Sequence, residues 1–126
     1  MLRKYILICD DLVDNCMILQ VILEMEGYKV EFVTSGIEAI NKIKSHKPDL
    51  LLLDVMMPEM NGFEVVRVIQ QDKYLQTLPI LLITAYKEVI TSEFTNIKVN
   101  GVLHKPINSD DLVEIVQEVL QVYNDE

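Results

Sequence analysis

Five polar side chains that could perform chemistry stand at the ends of short apolar segments. Aspartates crowded into one cleft repel one another and favour a bound cation, and Mg²⁺ takes oxygen ligands from a few carboxylates, water and a phosphate oxygen. A lysine ammonium and a threonine hydroxyl suit phosphoryl oxygens, and an aspartate can itself form an acyl phosphate. The residue types therefore indicate metal-assisted phosphoryl transfer, in which positioning and charge neutralisation carry most of the catalysis. These side chains belong to Asp10, Asp11, Asp54, Thr84 and Lys105.

The elements that must position these side chains follow from an alternation of apolar and amphipathic segments. Short, continuously apolar segments are typical of buried parallel strands. Strands and helices in alternation predict an α/β fold, a parallel sheet with helices on both faces. Ligands bind at the carboxyl ends of such strands, so the polar side chains are expected to meet at one edge. The predicted strands are Tyr5–Cys9, Lys29–Val33, Asp49–Leu53, Pro79–Ile83 and Val102–His104.

The first helix is predicted to begin at about Asp14, a favourable N-cap. Ile18, Val21, Ile22 and Met25 follow it at helical spacing. Residues 87–99 predict only a weak helix, because Thr, Asn and β-branched residues are mediocre helix formers. The other helices are predicted from Ser35 with Ile37, Ile40 and Ile43, from Phe63, Val66 and Ile69, and from Asn108 or Ser109 with Leu112, Val116, Val119 and Tyr123.

The composition predicts one compact domain over residues 1–126. Half of the residues are hydrophobic, and this length is typical of a single core. No apolar segment approaches the roughly 20 residues that cross a bilayer, and the stretch before Asp10 is too short for a secretion signal. A cytoplasmic protein without membrane association is therefore expected. The net charge of −9 argues against direct nucleic-acid binding, which needs clustered Lys and Arg.

Four segments in order along the chain carry a family resemblance. They are ILICDD from residue 6, LLLLDVMMPEMNGFE from residue 50, ITA from residue 83 and HKP from residue 104. Together they resemble the receiver domain of two-component response regulators, the CheY-like family, over about Lys4 to Tyr123. The resemblance implies a flavodoxin-like sheet of five parallel strands in the order 2-1-3-4-5. It also implies a protein that is not an enzyme beyond catalysing its own phosphorylation and dephosphorylation.

The resemblance also implies a metal site. Asp11 resembles the direct ligand of Mg²⁺, with Mn²⁺ as an alternative ion, and Asp10 resembles a ligand that acts through water. Asp54 and the backbone carbonyl of Met56 complete the protein's share of the ligands. The metal is therefore expected beside the strand-end aspartates.

Three residues are assigned to the phosphoryl group by the same resemblance. Asp54 resembles the phosphoacceptor, and Thr84 resembles the hydroxyl that moves towards the phosphoryl group and switches the domain. Lys105 resembles the phosphoryl-binding lysine, which in receivers usually precedes a cis peptide, here the bond to Pro106. The residues two past the acceptor and two past the threonine flank the path of attacking water in receivers. Here they are Met56 and Tyr86, which predict slow dephosphorylation because they exclude water.

The resemblance implies partners as well. The phosphodonor is expected to be a histidine kinase or a histidine phosphotransfer protein. A downstream effector is expected to bind the face that the fourth helix, fifth strand and fifth helix form in receiver domains. The chain is expected to be a monomer or a transient dimer. Two positions depart from the family: Leu12 replaces a residue that is often acidic, and Val102 replaces the usual Tyr or Phe. Signal is therefore expected to pass less through the fifth strand and more through residues 85–99.

Two alternative functions remain open at this point. A phosphatase of the haloacid-dehalogenase type also uses an aspartate nucleophile, Thr, Lys and Mg²⁺, but it usually has a second aspartate where this chain has Met56. A receiver-like interaction module that is no longer phosphorylated is the other alternative. Incubation with acetyl phosphate and Mg²⁺ discriminates the three, since a phosphatase turns the substrate over and an inert module does nothing.

Overall fold

The computed structural model describes residues 3–85 and 97–124, which fold around one parallel sheet. Its strands are β1 Tyr5–Cys9, β2 Lys29–Val33, β3 Leu50–Asp54, β4 Ile80–Thr84 and β5 Gly101–His104. These bounds confirm the predicted strands to within one residue at each end. All strand pairings in this sheet are parallel, and the order is β2-β1-β3-β4-β5, as the family resemblance implied.

Helices cover both faces of the sheet, which confirms the predicted α/β architecture. Alternate strand residues serve two separate cores, because successive side chains of a strand point to opposite faces. The helices in the described ranges are α1 Val13–Met25, α2 Gly36–Ser45, α3 Gly62–Gln71 and α4 Ser109–Asn124. Leu7 and Leu51 pack with α2 and α3, whereas Ile6 and Leu52 pack with α1 and α4.

Three of these helices begin at polar caps. Ser35 caps α2 with its hydroxyl, and Asn61 caps α3 in a capping box, in which cap and third residue bond each other reciprocally. Asn108 accepts two backbone N–H groups from the first turn of α4, so Asn108 rather than Ser109 is its cap. The cap predicted at Ser35 is confirmed, and the open choice at α4 is resolved.

The prediction of Asp14 as the cap of α1 was wrong. The helix begins at Val13, and its N-cap residue Leu12 makes no side-chain cap hydrogen bond. The Asp10 carboxylate instead accepts the backbone N–H of Leu12 at 2.9 Å, the turn that aspartates commonly form with the residue two positions on. Asp14 lies in the first helical turn, where its charge suits the helix dipole.

The apolar spacing that predicted α1 does not mark its buried face. Ile18, Val21 and Met25 are 59%, 57% and 80% exposed, and Ile37 of α2 is also exposed. The interpretation failed because α1 is apolar on both faces, so that helical spacing alone could not distinguish core from surface. The buried residues of α1 are Cys16, Leu19 and Leu23.

One predicted element lies mostly outside the described residues. This is the weak helix over residues 87–99, together with Tyr86 and the side chain of Tyr123. Residues 97–99 are described and belong to no helix, so the predicted C-terminal bound was too late. No helix within the described ranges is both long and apolar enough to cross a bilayer.

Candidate functional site

The carboxyl-end edge of the sheet carries all the polar side chains that the sequence singled out. Asp10 and Asp11 follow β1, Asp54 and Thr84 are the last residues of β3 and β4, and Lys105 follows β5. Every residue of β1, β3 and β4 is buried, so the aspartates and Thr84 extend from closely packed central strands. Lys105 follows the edge strand β5, which is only partly buried. The edge therefore holds its polar groups in fixed positions.

Three carboxylates form a compact cluster at this edge. One oxygen each from Asp10, Asp11 and Asp54 lies within 4.8 Å of the others. Asp10 and Asp54 are buried, whereas Asp11 is partly exposed. Three acids at this separation suit a hard divalent cation with oxygen ligands, and the partly exposed member leaves a side open to water and phosphate.

Lys105 is the cation of this cluster. Its Nζ atom lies 3.4 Å from Oδ2 of Asp10 and 3.4 Å from Oδ1 of Asp54, so one ammonium is shared between two buried carboxylates. Partial burial lowers the pKa of Lys105, but the charges of Asp54 and Asp10 outweigh it and the pKa is raised. Lys105 therefore stays charged and offsets part of the repulsion between the acids.

The Asp54 carboxylate is left incompletely satisfied. Its Oδ1 atom is buried and accepts no hydrogen bond from any residue the structure describes, although it makes the ion pair with Lys105. Burial and then the charge of Asp10 raise the pKa of Asp54 to about 6, against the opposing effect of Lys105. A buried oxygen of this kind favours a further cation or a covalent partner.

The Asp10 carboxylate, in contrast, is held by several donors. Its Oδ1 accepts the N–H of Leu12 at 2.9 Å, and its Oδ2 accepts the side-chain amide of Asn15 at 3.4 Å as well as the Lys105 ammonium. Sequence reasoning missed Asn15. The available signal was its position one helical turn after Asp11, on the predicted first helix.

The backbone between β3 and α3 packs closely against Asp54. The N–H of Gly62 donates to the carbonyl of Val55 at 3.0 Å, and the N–H of Val55 donates to Ile83 of β4 at 2.9 Å. A Cβ atom at Gly62 would lie 2.7 Å from the carbonyl oxygen of Asp54 and 2.9 Å from Cα of Val55. Only glycine therefore fits here, a requirement that the sequence reasoning did not identify.

The remaining predicted site residues lie on the same edge. The side chain of Met56, two residues beyond Asp54, is 52% exposed. Thr84 is completely buried, and its carbonyl accepts the N–H of Lys105 at 2.8 Å, which joins the ends of β4 and β5. The peptide bond between Lys105 and Pro106 is cis, as the family resemblance implied.

A parallel sheet in this order, with acids and a lysine at its carboxyl-end edge, defines a class of signalling domains. The sequence profile of the response regulator receiver domain matches residues 6–117. The chain belongs to this family, and it is a receiver domain of the kind found in two-component systems.

Individual relatives agree with this assignment. The chain is 28% identical over 122 residues to the polar-differentiation response regulator DivK of Brucella ovis, covering 94% of this chain and 98% of that protein. Its fold matches the chemotaxis response regulator CheY4 of Vibrio cholerae with a TM-score of 0.87 and 29% identity, over 94% of this chain and 99% of that one. The signal receiver domain of a histidine kinase from Syntrophus aciditrophicus matches equally well, with a TM-score of 0.87 and 30% identity, over 94% and 90% of the two chains.

Proposed function

We propose that this receiver domain accepts a phosphoryl group on Asp54 in a Mg²⁺-dependent reaction and signals through a changed docking surface. The donor is a histidine kinase or a histidine phosphotransfer protein. The observation that carries this proposal is the buried Oδ1 of Asp54, which lacks a hydrogen bond among the described residues. A strand-end aspartate with a purely structural role would have its buried oxygens bonded by N–H or O–H groups.

The chemistry assigned to the site is the formation of an acyl phosphate. A carboxylate oxygen of Asp54 bonds to phosphorus as the bond between phosphorus and the donor's histidine nitrogen breaks, and the imidazole leaves. Lys105, already 3.4 Å from Asp54, stabilises the charge on the phosphoryl oxygens. Thr84 moves towards the phosphoryl group and donates a hydrogen bond from its hydroxyl to another of these oxygens. This movement switches the domain.

The donor set fits a magnesium ion. Asp10, Asp11 and Asp54 supply carboxylate oxygens within 4.8 Å of one another, and the carbonyl of Met56 completes the protein's share. Mg²⁺, or Mn²⁺ in its place, would supply the positive charge that allows a phosphoryl group to approach three carboxylates. Asp11 would hold the ion directly and Asp10 would act through a water molecule.

The exposed apolar face of α1 is the surface proposed for the phosphodonor. It continues into a cavity of about 220 Å³ whose lining includes Asp10, Lys105, Ile18 and Ile107, so a protein bound there reaches the acceptor. Six exposed apolar side chains on α1 and its N-cap are unusual for a surface that faces only water. Because this surface adjoins the cavity beside Asp10 and Lys105, we assign it to the phosphodonor. The six side chains belong to Leu12, Val13, Met17, Ile18, Val21 and Met25.

The output surface is proposed on β5 and α4 together with the predicted helix before β5. Val102 of β5 is partly buried and stands opposite Leu82 of β4. Its short, stiff side chain offers little movement, so signal is expected to pass mainly through residues 85–99. The chain is proposed to be a cytoplasmic receiver domain, a monomer or transient dimer, that catalyses only its own phosphorylation and dephosphorylation.

Incubation with acetyl phosphate and Mg²⁺, followed by intact mass measurement, tests the proposed function. The wild-type chain is expected to gain the mass of one phosphoryl group, and Asp54→Asn is expected to gain none. Continuous turnover of acetyl phosphate would indicate a phosphatase. No mass gain and no turnover would indicate an interaction module, and either result would overturn the proposal.

Millimolar Mg²⁺ is expected to raise the melting temperature of the wild-type chain, because a ligand that binds only the folded state stabilises it by mass action. Asp11→Asn is expected to abolish this shift and Mg²⁺-dependent phosphorylation, and to leave the metal-free protein folded and at least as stable. Asp14→Asn removes the same charge outside the cluster and is the matched control. A wild-type melting temperature that does not change up to several tens of millimolar Mg²⁺ would contradict the metal assignment.

Phosphorylated protein is expected to lose its phosphoryl group slowly. Met56 and Tyr86 carry no carboxylate or amide that could orient an attacking water, and both are bulky enough to exclude it. The double variant Met56→Asn, Tyr86→Glu is expected to decay faster than wild type when the remaining phosphoprotein is followed by intact mass. Equal decay rates in the two proteins would contradict the shielding role.

A further inference from the structure

The Asp10 carboxylate draws its donors from three parts of the chain. The backbone N–H of Leu12 holds Oδ1 at 2.9 Å, whereas Oδ2 accepts the Asn15 amide and the Lys105 ammonium, each at 3.4 Å. Asp10 is 1% exposed, so its charge cannot be stabilised by bulk water. Each of the three donors therefore contributes to holding the buried carboxylate in one orientation.

The Lys105 ammonium pairs with two carboxylates at once. In this structure it lies between Asp10 and Asp54 at equal distances. Once Asp54 carries a phosphoryl group, the ammonium is drawn to the phosphoryl oxygens, which bear more negative charge than the carboxylate they replace. Asn15 is then the one side-chain donor left on Oδ2 of Asp10 among the residues described.

We infer that Asn15 is a positioning residue of the metal site, whose amide holds Asp10 while Lys105 turns to the phosphoryl group. This inference rests on the proposed function. Groups that hydrogen-bond a metal-binding carboxylate fix its orientation, and their removal weakens metal binding by about 10- to 100-fold. Asp10 is assigned to act on the metal through water, Asn15 is half-buried, and its hydrogen bond is 3.4 Å long, so the effect belongs at the lower end of that range.

Isothermal calorimetry with MgCl₂ alone tests the role of Asn15. Asn15→Leu, which keeps similar volume but has no donor, is expected to raise the Mg²⁺ dissociation constant about tenfold. Its metal-free melting temperature should stay near that of wild type, because Lys105 still holds Asp10. Asn15→Gln, which keeps an amide, is expected to recover part of the affinity, and Asn15→Ala replaces the leucine variant if that one does not fold.

Gln20→Leu is the matched control. Gln20 lies on the same helix, is also partly buried, and donates its amide to Glu24 and to the carbonyl of Val30, remote from the acids. This variant loses a comparable hydrogen bond without touching the site, so its Mg²⁺ affinity should match wild type. An equal loss of affinity in Gln20→Leu and Asn15→Leu would show a general effect on α1 and overturn the inference.

The sharing of Asp10 is tested in a Lys105→Ala background. With the ammonium removed, Asn15→Leu is expected to weaken Mg²⁺ binding by a larger factor than in the wild-type background, since contacting partners are not additive. If Asn15→Leu weakens Mg²⁺ binding by the same factor in both backgrounds, Asn15 and Lys105 do not share the support of Asp10, and that part of the inference is overturned. If Asn15→Leu binds Mg²⁺ as tightly as the wild-type chain, only the positioning role of Asn15 is overturned. If the wild-type chain itself binds no Mg²⁺, the metal assignment and the positioning role are both overturned.

Discussion

Gly62→Ala is expected to slow phosphoryl uptake by Asp54 about a hundredfold, because a shift of about 1 Å at a reacting group has effects of that size. The added methyl group would lie 2.7 Å from the Asp54 carbonyl oxygen and 2.9 Å from Cα of Val55. Both are backbone atoms at the end of β3 or directly after it, so α3 and the end of β3 must move apart. Such overpacking also costs about 1–3 kcal/mol of folding free energy. Mass measurement over time and urea unfolding give the two effects.

Gly36→Ala is the matched control for this variant. Gly36 is the first residue of α2 as Gly62 is of α3, so both changes alter helix propensity at the same position. A methyl group at Gly36 would lie 2.8 Å from a side-chain atom of Val65 and 3.0 Å from side-chain atoms of Met60, and none of these atoms belongs to the backbone of Asp54 or Val55. The phosphorylation rate of the control should stay close to wild type, and a rate for Gly62→Ala as fast as that of Gly36→Ala would contradict the prediction.

Asp54→Asn is expected to stabilise the metal-free protein at pH 7 by up to about 3 kcal/mol, at about 1.4 kcal/mol per pKa unit, and to abolish phosphoryl uptake. Burial and the charge of Asp10 raise the pKa of Asp54 from its ordinary 3.8 to about 6. The folded state therefore binds this proton more tightly than the unfolded state. The carboxylate costs nothing below pH 3.8, and the cost reaches its full value as the pH rises through 6.

Urea unfolding in a chelator at several pH values measures this cost. The stability gained by Asp54→Asn is expected to be smaller at pH 5 than at pH 8. Asp14→Asn removes one charge from an exposed position of α1 and controls for the change in net charge. A gain that is equal at both pH values, or equal in the two variants, would contradict the assigned cause.

The strands and the edge they form could be predicted from sequence because burial leaves a simple pattern. A segment such as Leu50–Leu53 is apolar throughout and predicts a buried strand. A polar residue at the end of such a strand is expected to lie at the edge of the sheet, because the core on both faces is apolar. Parallel strands then bring Asp10, Asp54 and Lys105 to the same side without any knowledge of side-chain contacts. Strand order came from the family resemblance rather than from the pattern.

The features that could not be predicted depend on contacts between distant parts of the chain. Helical spacing identified α1, but both of its faces are apolar, and only packing decides that Leu19 is buried and Ile18 exposed. The role inferred for Asn15 depends on Lys105, which reaches the Asp10 carboxylate only in the folded chain. The requirement for glycine at position 62 comes from the approach of α3 to β3, which no local pattern encodes.

The ion pair between Lys105 and Asp10 joins residues 95 positions apart in the chain. During synthesis on a ribosome, the acidic residues emerge first and the lysine that partly neutralises them emerges last. Until β5 has docked beside β4, the aspartates lack this lysine, and an acyl phosphate would lack one of its stabilising charges. On the proposed function, the domain would therefore become competent to accept a phosphoryl group only after β5 has been made and folded, and incomplete chains would not compete for the phosphodonor's phosphate.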